Sequence, residues 1–85
     1  MNYEVQFTKA AQRQIKKLPR PGREQVLALA ESLTENPRPR VVVKLTNRPG
    51  WRARTGNYRA IDINEDQHLL VTVIRAGNHR AEGAP

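Results

Sequence analysis

Three arginines are the residues whose type and spacing best suit chemistry on an anion. Arg52 and Arg54 lie two residues apart in Trp51-Arg52-Ala53-Arg54, whose alternation predicts a β-strand. Side chains two apart on a strand project from one face about 7 Å apart, comparable to successive phosphates of a nucleic-acid strand. Arg59 follows Thr55-Gly56-Asn57, which has the composition of a hairpin turn, so strand pairing brings it near the other two. We predict a phosphate-binding surface here; the alternative is a solvent-exposed sheet face that merely carries arginines.

The charge around these arginines favours the phosphate-binding interpretation. The 85 residues include 15 Lys and Arg against 8 Asp and Glu, a formal net charge of +7. No acidic residue stands between Glu35 and Asp62. A surface that serves solubility alone normally mixes both signs, so this excess favours a polyanion or an acidic protein as partner. The cations of that interval are Arg38, Arg40, Lys44, Arg48, Arg52, Arg54 and Arg59.

Further candidates lie beside or within this interval. Trp51 offers a ring on which a base can stack, although a lone Trp at the start of a strand is more often part of a core or its rim. Arg75 ends an apolar stretch and is a candidate phosphate ligand, with simple extension into solvent as the alternative. His79, next to Arg80, is the candidate for proton transfer near neutral pH.

Residue types and motifs missing from the sequence exclude several classes of site. There is no cysteine, which excludes disulfides and thiolate zinc sites and fits a reducing compartment, the cytoplasm. Neither Gly-x-x-x-x-Gly-Lys nor Gly-x-Gly-x-x-Gly occurs, and His68 and His79 are too poorly spaced for a histidine metal site. No apolar stretch approaches the roughly 20 residues of a membrane span, and the first residues lack a signal-peptide pattern. We expect no metal, no small-molecule cofactor and no membrane association.

The first half of the chain predicts a strand followed by two helices. Tyr3 to Phe7 alternates between apolar and polar residues, and Thr8 is suited to cap a helix. Apolar residues at helical spacing then continue to Pro19, and a second such run extends from Pro21 to Asn36-Pro37. The short turn between them predicts an antiparallel helical hairpin. A DNA-recognition helix-turn-helix is disfavoured because the second helix carries carboxylates that repel phosphate: Glu24, Glu31 and Glu35.

The second half predicts strands. Val41-Val42-Val43 has the composition of a short strand within a basic loop, and residues 51–54 and 58–63 alternate around the hairpin turn. Leu69 to Ile74 is nearly all apolar and β-branched, which predicts a central strand. The segment from Ala76 to Pro85 has little to bury, so we expect a loop there.

These elements predict an α+β fold in a single domain spanning residues 1–85. In this fold an N-terminal strand, a two-helix antiparallel hairpin and a three-stranded antiparallel meander form one sheet with the helices on one face. The other face is left available for a ligand.

Two segments of the sequence resemble the RelE/ParE toxin superfamily: residues 51–61, from Trp51 to Ile61, and residues 70–80, from Leu70 to Arg80. Members typically show an aromatic-basic-x-basic strand, a Gly-Asp-Tyr-Arg-like hairpin and an apolar strand that ends in Arg-x-Gly-His-Arg. Lys17-Leu18-Pro19 and Asn36-Pro37, after the two predicted helices, are also similar to the family, so the resemblance covers nearly the whole chain.

The resemblance to the RelE-like branch implies a ribosome-dependent endoribonuclease that cleaves mRNA without metal, by attack of a 2′-OH on the adjacent phosphate. It also implies three partners, namely an acidic antitoxin, the ribosome and mRNA, and a cytoplasmic location. By position in the family's motifs, the implied catalytic residues are Arg52, Arg54, Arg59, His79 and Arg80. The predicted RNA-binding residues are the other cations between Glu35 and Asp62, together with Trp51 and Arg75. These residues are Arg38, Arg40, Lys44, Arg48, Trp51 and Arg75.

The sequence departs from the family's pattern at three places. Residues 81–85, Ala-Glu-Gly-Ala-Pro, contain no aromatic residue, whereas many active members end with one; the paired basic positions hold arginine where lysine is common, and Asp62 stands where tyrosine is frequent. The missing aromatic favours a ParE-like inhibitor of DNA gyrase with no nuclease activity. A catalytically weak RNA-binding protein is a third hypothesis, since clustered charge suffices for it.

Overall fold

The computed structural model describes residues 2–40 and 42–78, which form two helices and a five-stranded sheet. The α+β class and the helical hairpin predicted from the sequence are confirmed. Neither helix of this described part is long and apolar enough to span a membrane. In chain order the elements are β1 (Glu4–Phe7), α1 (Lys9–Lys16), α2 (Arg20–Ser32), β2 (Val42–Lys44), β3 (Trp51–Thr55), β4 (Tyr58–Glu65), a 3-10 turn (Asp66–His68) and β5 (Leu70–Asn78).

Both helices begin where the sequence indicates. The Thr8 hydroxyl accepts a hydrogen bond from the Ala11 amide at 3.1 Å, which satisfies a donor of the first turn of α1. Pro21 lies in the first turn of α2, where its missing N–H costs no hydrogen bond. α1 packs on β5 while α2 packs on β3 and β4, so the hairpin extends across the sheet.

The strand order is β1-β5-β4-β3-β2, with β1 parallel to β5 and every other neighbouring pair antiparallel. The predicted three-stranded meander is one strand short, because β2 pairs with β3 and makes it four-stranded. β5 lies between β1 and β4, as its apolar composition predicts, and Val71 and Val73 are fully buried.

The expectation of a loop from Ala76 onward is wrong for the first three residues of that segment. β4 is long enough to pair with them, since Ala60 opposes Ala76 and Tyr58 opposes Asn78. Ala76 is 4% exposed and belongs to the core. The paired strand, rather than the composition of the segment itself, keeps these residues in the sheet.

The core lies between the helices and one sheet face, and small side chains dominate it. Ala11 and Ala30 of the helices meet Ala60 of β4 and Val73 of β5. Alanine at these positions lets helix and sheet approach closely. A second buried cluster beside it contains Ile15, Val26 and Ala76.

A β-bulge in β5 decides which of its residues face the helices. Ile61 pairs with Arg75 and Asp62 pairs with Val73, so Ile74 is the extra residue on β5. Without the bulge, strict alternation from buried Val73 would direct Arg75 toward the helices. The bulge instead returns Ala76 to the core and places Arg75 on the sheet face that the helices leave uncovered, which we call the open face.

Candidate nucleic-acid interface

Two rows of side chains cross the open face near the β3–β4 hairpin. In the first row Arg52 opposes Ile61, which opposes Arg75; in the second, Arg54 opposes Arg59, which opposes Gly77. The rows are two residues apart, so they are separated by about 7 Å along the strands, and neighbouring strands lie about 4.8 Å apart. We call the four basic residues of these rows the arginine face: Arg52, Arg54, Arg59 and Arg75.

A tight turn sets this register. Gly56 has a φ of +56°, in the left-handed region, and with Asn57 it joins β3 to β4 through two residues. Thr55 then pairs with Tyr58, and Arg54 with Arg59. The hairpin therefore brings the three arginines together as their spacing in the sequence predicts.

The members of the arginine face differ in depth. Arg59 is only 5% exposed, Arg52 is half-buried, and Arg54 and Arg75 are exposed. Gly77, beside Arg59, contributes no side chain to the second row. An anion that approaches this face therefore meets exposed guanidinium groups first and a buried one at the base.

No acidic residue of the described chain occupies these two rows. Glu65 shares the parity of Arg59 on β4 but lies four positions beyond Ile61, about 13 Å along the strand. Two unit charges 7 Å apart in water repel by about 0.6 kcal/mol, and more where solvent is excluded. A bound phosphate offsets that repulsion, so this end of the open face favours an anionic ligand.

Trp51 lies on the opposite side of the sheet from Arg52. It opposes Asp62, whose side chain is buried on the helix side. Two cations lie over its ring, with the Arg38 guanidinium 5.7 Å and the Lys44 ammonium 5.4 Å from the ring centroid. The structure therefore groups Arg38, Lys44 and Trp51 with one another and separates them from the arginine face.

Arg38 is held by an internal ion pair. Its two terminal nitrogens donate to the two carboxylate oxygens of Asp66 at 3.0 and 3.2 Å, and one of them also donates to Asn64 Oδ1 at 2.7 Å. The expectation of an unopposed positive segment is wrong at this residue. Asp66 lies outside the acid-free interval in the sequence but returns to Arg38 in space.

Asp62 is a buried carboxyl group that sequence reasoning noted only as a departure from a family pattern. Its side chain is 0% exposed, Oδ1 accepts a 2.6 Å hydrogen bond from Asn64 Nδ2, and Oδ2 has no hydrogen-bond partner in the described chain. Burial raises the pKa of Asp62 to about 6, although the Asn64 hydrogen bond and the Arg38 charge act in the opposite direction. The position of Asp62 in its strand could have predicted this burial. Asp62 is two residues from Ala60 and four from Tyr58, so all three lie on the sheet side that faces the core.

The other predicted site residues lie apart from these clusters or outside the description. Arg40 and Arg48 are exposed on the segments that flank β2. His79 and Arg80 lie outside the described residues. Within residues 2–40 and 42–78, no three His, Asp or Glu side chains are grouped so that they could hold a metal ion.

Solved toxin structures are similar to this chain over most of its length. A chain of the toxin–antitoxin complex RelBE2 from Mycobacterium tuberculosis is 31% identical with a TM-score of 0.84, and the match covers 92% of this chain and 99% of that one. For the isolated Escherichia coli RelE toxin the values are 26% and 0.76, over 89% and 83% of the two chains. For the intact E. coli RelBE toxin–antitoxin complex they are 28% and 0.75, over 89% and 95%. No protein-family profile and no curated protein sequence gave a match.

Proposed function

Because this chain belongs to the RelE superfamily of toxins, we propose that it is the toxin of a toxin–antitoxin pair and cleaves messenger RNA on the ribosome, in the cytoplasm. The observation that carries the proposal is the arginine face. It presents four arginines in two rows on the sheet face that the helices leave open, and no acidic residue of β3, β4 or β5 as described lies in those two rows.

The proposed reaction transfers a phosphoryl group within the RNA, from the 5′-oxygen of one nucleotide to the 2′-oxygen of the nucleotide before it. The 2′-oxygen of one nucleotide forms a bond to the adjacent phosphorus while the bond from that phosphorus to the 5′-oxygen of the next nucleotide breaks. The products are a 2′,3′-cyclic phosphate and a 5′-OH, so a proton must leave the attacking oxygen and another must reach the leaving oxygen. Negative charge grows on the phosphate oxygens in between, and fixed positive groups stabilise it.

The arginine face supplies charge and orientation rather than proton transfer. Guanidinium groups bind phosphate oxygens through paired hydrogen bonds, and arginine remains positively charged in proteins. Arg54 and Arg59 are directly opposed on neighbouring strands, which supports the proposal that they hold one phosphate between them. For proton transfer we retain His79, because histidine is the residue type whose unperturbed pKa lies near neutral pH.

The shape of the surface supports the proposed dependence on the ribosome. An open sheet face grips phosphates but does not enclose a nucleotide, so it gives limited control over the angle between the attacking and leaving oxygens. In-line geometry is worth several orders of magnitude in rate. A ribosome that holds the message in a fixed path supplies that geometry in the proposed reaction.

One observation favours a second function, inhibition of DNA gyrase by binding alone. Residues 81–85 contain no aromatic side chain, and this departure from the family's pattern supports binding without cleavage. The two functions differ in the nucleic acid that is damaged after induction: broken mRNA for the nuclease, and accumulated cleaved DNA with intact mRNA for the gyrase inhibitor.

Primer extension on a defined mRNA in a reconstituted translation system tests the proposal. We expect the wild-type protein to produce breaks at fixed positions within codons only when ribosomes are present. Arg54→Ala should reduce the cleavage rate by about 100-fold, because it removes one donor to the charge that develops on the phosphate. Arg54 is exposed, so its truncation removes little packing.

Arg13→Ala is the matched control, since Arg13 is an exposed arginine on α1, on the helical side of the sheet. It removes the same charge and should leave cleavage unchanged. Full cleavage by both Arg54→Ala and Arg52→Ala, or an equal loss in Arg13→Ala, would show that the arginine face is not the catalytic surface.

A further inference from the structure

The backbone around the bulge in β5 is bound by two side chains, one from α1 and one from its cap. β1 pairs with β5 from Leu70 to Val73, so within the described residues no strand lies beside Ile74 and the residues after it on that edge. Backbone groups that point toward this edge need other partners, because a buried N–H or C=O without one is costly. Thr8 and Gln14 are such partners.

Gln14 makes the shorter of the two contacts. Its Oε1 accepts a hydrogen bond from the Ala76 amide at 2.8 Å. An amide N–H requires an acceptor, so it is the oxygen of the Gln14 side chain that must face it. Ala76 is 4% exposed, so little solvent reaches this residue to replace that acceptor. The Thr8 hydroxyl donates to the Ile74 carbonyl at 3.4 Å, a longer contact.

These two contacts lie on either side of Arg75 along the chain. The peptide group before Arg75 contains the Ile74 carbonyl, and the peptide group after it contains the Ala76 amide. Because each peptide group is planar, holding both of them restricts the two backbone dihedral angles of Arg75. Ala76 packs beside Ile15 and Val26 on the helix side, so the Arg75 side chain projects to the open face.

Gln14 is a polar residue on the apolar side of α1. It lies three residues after Ala11, which is buried, and four before Leu18, which is half-buried. The basic residues Arg13 and Lys16 of the same helix are exposed. Packing alone does not account for a glutamine at this position, whereas the hydrogen bond to β5 does.

We propose that Gln14 is a positioning residue for the arginine face: it holds the bulge at Ile74 and thereby directs Arg75 toward the RNA. The inference rests on the proposed function, which supplies the RNA, and adds a residue that acts through Arg75 without touching the substrate. Without an acceptor at position 14, the Ala76 amide favours a bulge at another position of β5. A shift of the bulge turns Arg75 toward the helix side, because strand residues alternate between the two faces.

The test measures how the affinity for a short single-stranded RNA depends on salt, by filter binding with the full-length chain. Each phosphate contact to a single strand contributes about 0.7 to the magnitude of the slope of log affinity against log salt. Gln14→Met keeps the length of the side chain but removes the acceptor, and Gln14→Ala removes it with the residue that best favours a helix. Gln14→Glu keeps an acceptor oxygen.

Gln12 provides matched controls on the same helix. Its side chain is exposed and donates to the Phe7 carbonyl at 3.2 Å, so Gln12→Met also loses a hydrogen bond to the backbone, but one that does not involve β5. Gln12→Glu adds the same charge as Gln14→Glu. Thermal unfolding of each variant verifies that the fold is retained.

We expect Gln14→Met and Gln14→Ala to reduce the magnitude of the slope by about 0.7, as Arg75→Ala does. Gln14→Glu and both Gln12 variants should keep the wild-type slope. The double variant Gln14→Met/Arg75→Ala should have the slope of Arg75→Ala alone, because Gln14 acts through Arg75. A glutamine with only a structural role would lower the melting temperature and leave the slope of the folded protein unchanged.

Several results would overturn the inference. These are a wild-type slope in both acceptor-free variants, a further loss of about 0.7 in the double variant, or an equal loss in the Gln12 variants. A reduced slope in Gln14→Glu would overturn it as well, and this result does not depend on whether the acceptor-free variants fold. RNA binding by the wild type that does not change with salt would show that Arg75 contacts no phosphate, and the inference would fail.

Cleavage of mRNA on ribosomes judges the proposed nuclease separately. The expected slopes in a protein that does not cleave would overturn the nuclease and leave the role of Gln14 intact. Cleavage by the wild type, together with an unchanged slope in Gln14→Met and Gln14→Ala, would do the reverse.

Discussion

Asp62 is the residue whose environment departs furthest from what its side chain favours. A carboxylate in a site with no exposed surface loses its hydration, and here the hydrogen bond from Asn64 at 2.6 Å compensates in part. The guanidinium group of nearby Arg38 pairs with Asp66, to which it donates two hydrogen bonds. The proton is therefore retained on Asp62 to a higher pH than in the unfolded chain, with a pKa of about 6 against 3.8.

This difference predicts how Asp62 affects stability with pH. Below the unfolded pKa both states hold the proton and Asp62 contributes nothing. Between pH 3.8 and about 6 the unfolded chain loses the proton while the folded chain keeps it, so stability falls over this interval by up to about 3 kcal/mol and stays lower above it. We expect Asp62→Asn to exceed the wild type in unfolding free energy at pH 7 but not at pH 4, measured by urea denaturation.

Asp66 is the internal control for that experiment because its pKa is shifted the other way. Hydrogen bonds from Arg38 and Tyr3 lower the pKa of Asp66, so its contribution is present at neutral pH and is lost as the pH falls through the folded pKa. Asp66→Asn should therefore be less stable than the wild type at pH 7. An Asp62→Asn variant with the same trend as Asp66→Asn would contradict the assignment of a destabilising buried charge.

At the scale of elements, the contact between α2 and the start of β4 fixes the hairpin that carries the arginines. Gly22 is buried in α2, and a Cβ there would overlap the Tyr58 ring. Tyr58 faces the core next to Ile15, Val26 and Ala76, while Arg59, the next residue, faces the open side. The helix therefore holds one side of the strand whose other side forms the base of the arginine face.

Gly22→Ala tests this contact, because packing and helix propensity predict opposite signs. Propensity alone predicts a gain of up to about 1 kcal/mol from alanine in a helix. Overpacking against Tyr58 predicts a loss of about 1–3 kcal/mol. We expect the loss, measured by chemical denaturation. Ala28→Gly, at an exposed position of the same helix, gives the propensity term alone, and a stabilised Gly22→Ala would exclude the contact.

At the scale of the whole molecule, the two faces of the sheet carry different groups of residues. The helical side carries the core and the network around Arg38, whereas the open side carries the arginine face. The chain of 85 residues has a formal net charge of +7, and among the described residues no acid lies in the two rows of the arginine face. In the proposed function the RNA supplies the opposite charge.

The number of arginines on the open side predicts how strongly RNA binding depends on salt. If the four arginines of the arginine face each contact a phosphate, the slope of log affinity against log salt should be about −3, so affinity falls roughly 50-fold between about 50 and 200 mM salt. Arg54→Ala should reduce the magnitude of the slope by about 0.7, whereas Arg13→Ala should not change it. Filter binding of a short single-stranded RNA gives both slopes, and equal slopes in all three proteins would contradict the assignment.

Local pattern was sufficient for the parts of this protein that depend on neighbours in the chain. Alternation, the cap at Thr8 and the prolines around the helices predicted the hairpin and the strands, because those signals act within a few residues. The two-residue turn at Gly56-Asn57 likewise fixed the register that opposes Arg54 and Arg59. The resemblance of the same segments to RelE-like toxins agrees with the solved structures.

Tertiary structure decided the features that depend on contacts between distant residues. The bulge at Ile74 reverses the parity of β5 and moves Arg75 to the open face, and only pairing with β4 shows it. Asp66 lies 28 positions from Arg38 in the chain yet neutralises it, so an acid-free interval did not make that arginine available. Trp51 lies on the helix side because it pairs with Asp62. The face on which a strand residue lies is set by its partners across the sheet, and composition does not specify those partners.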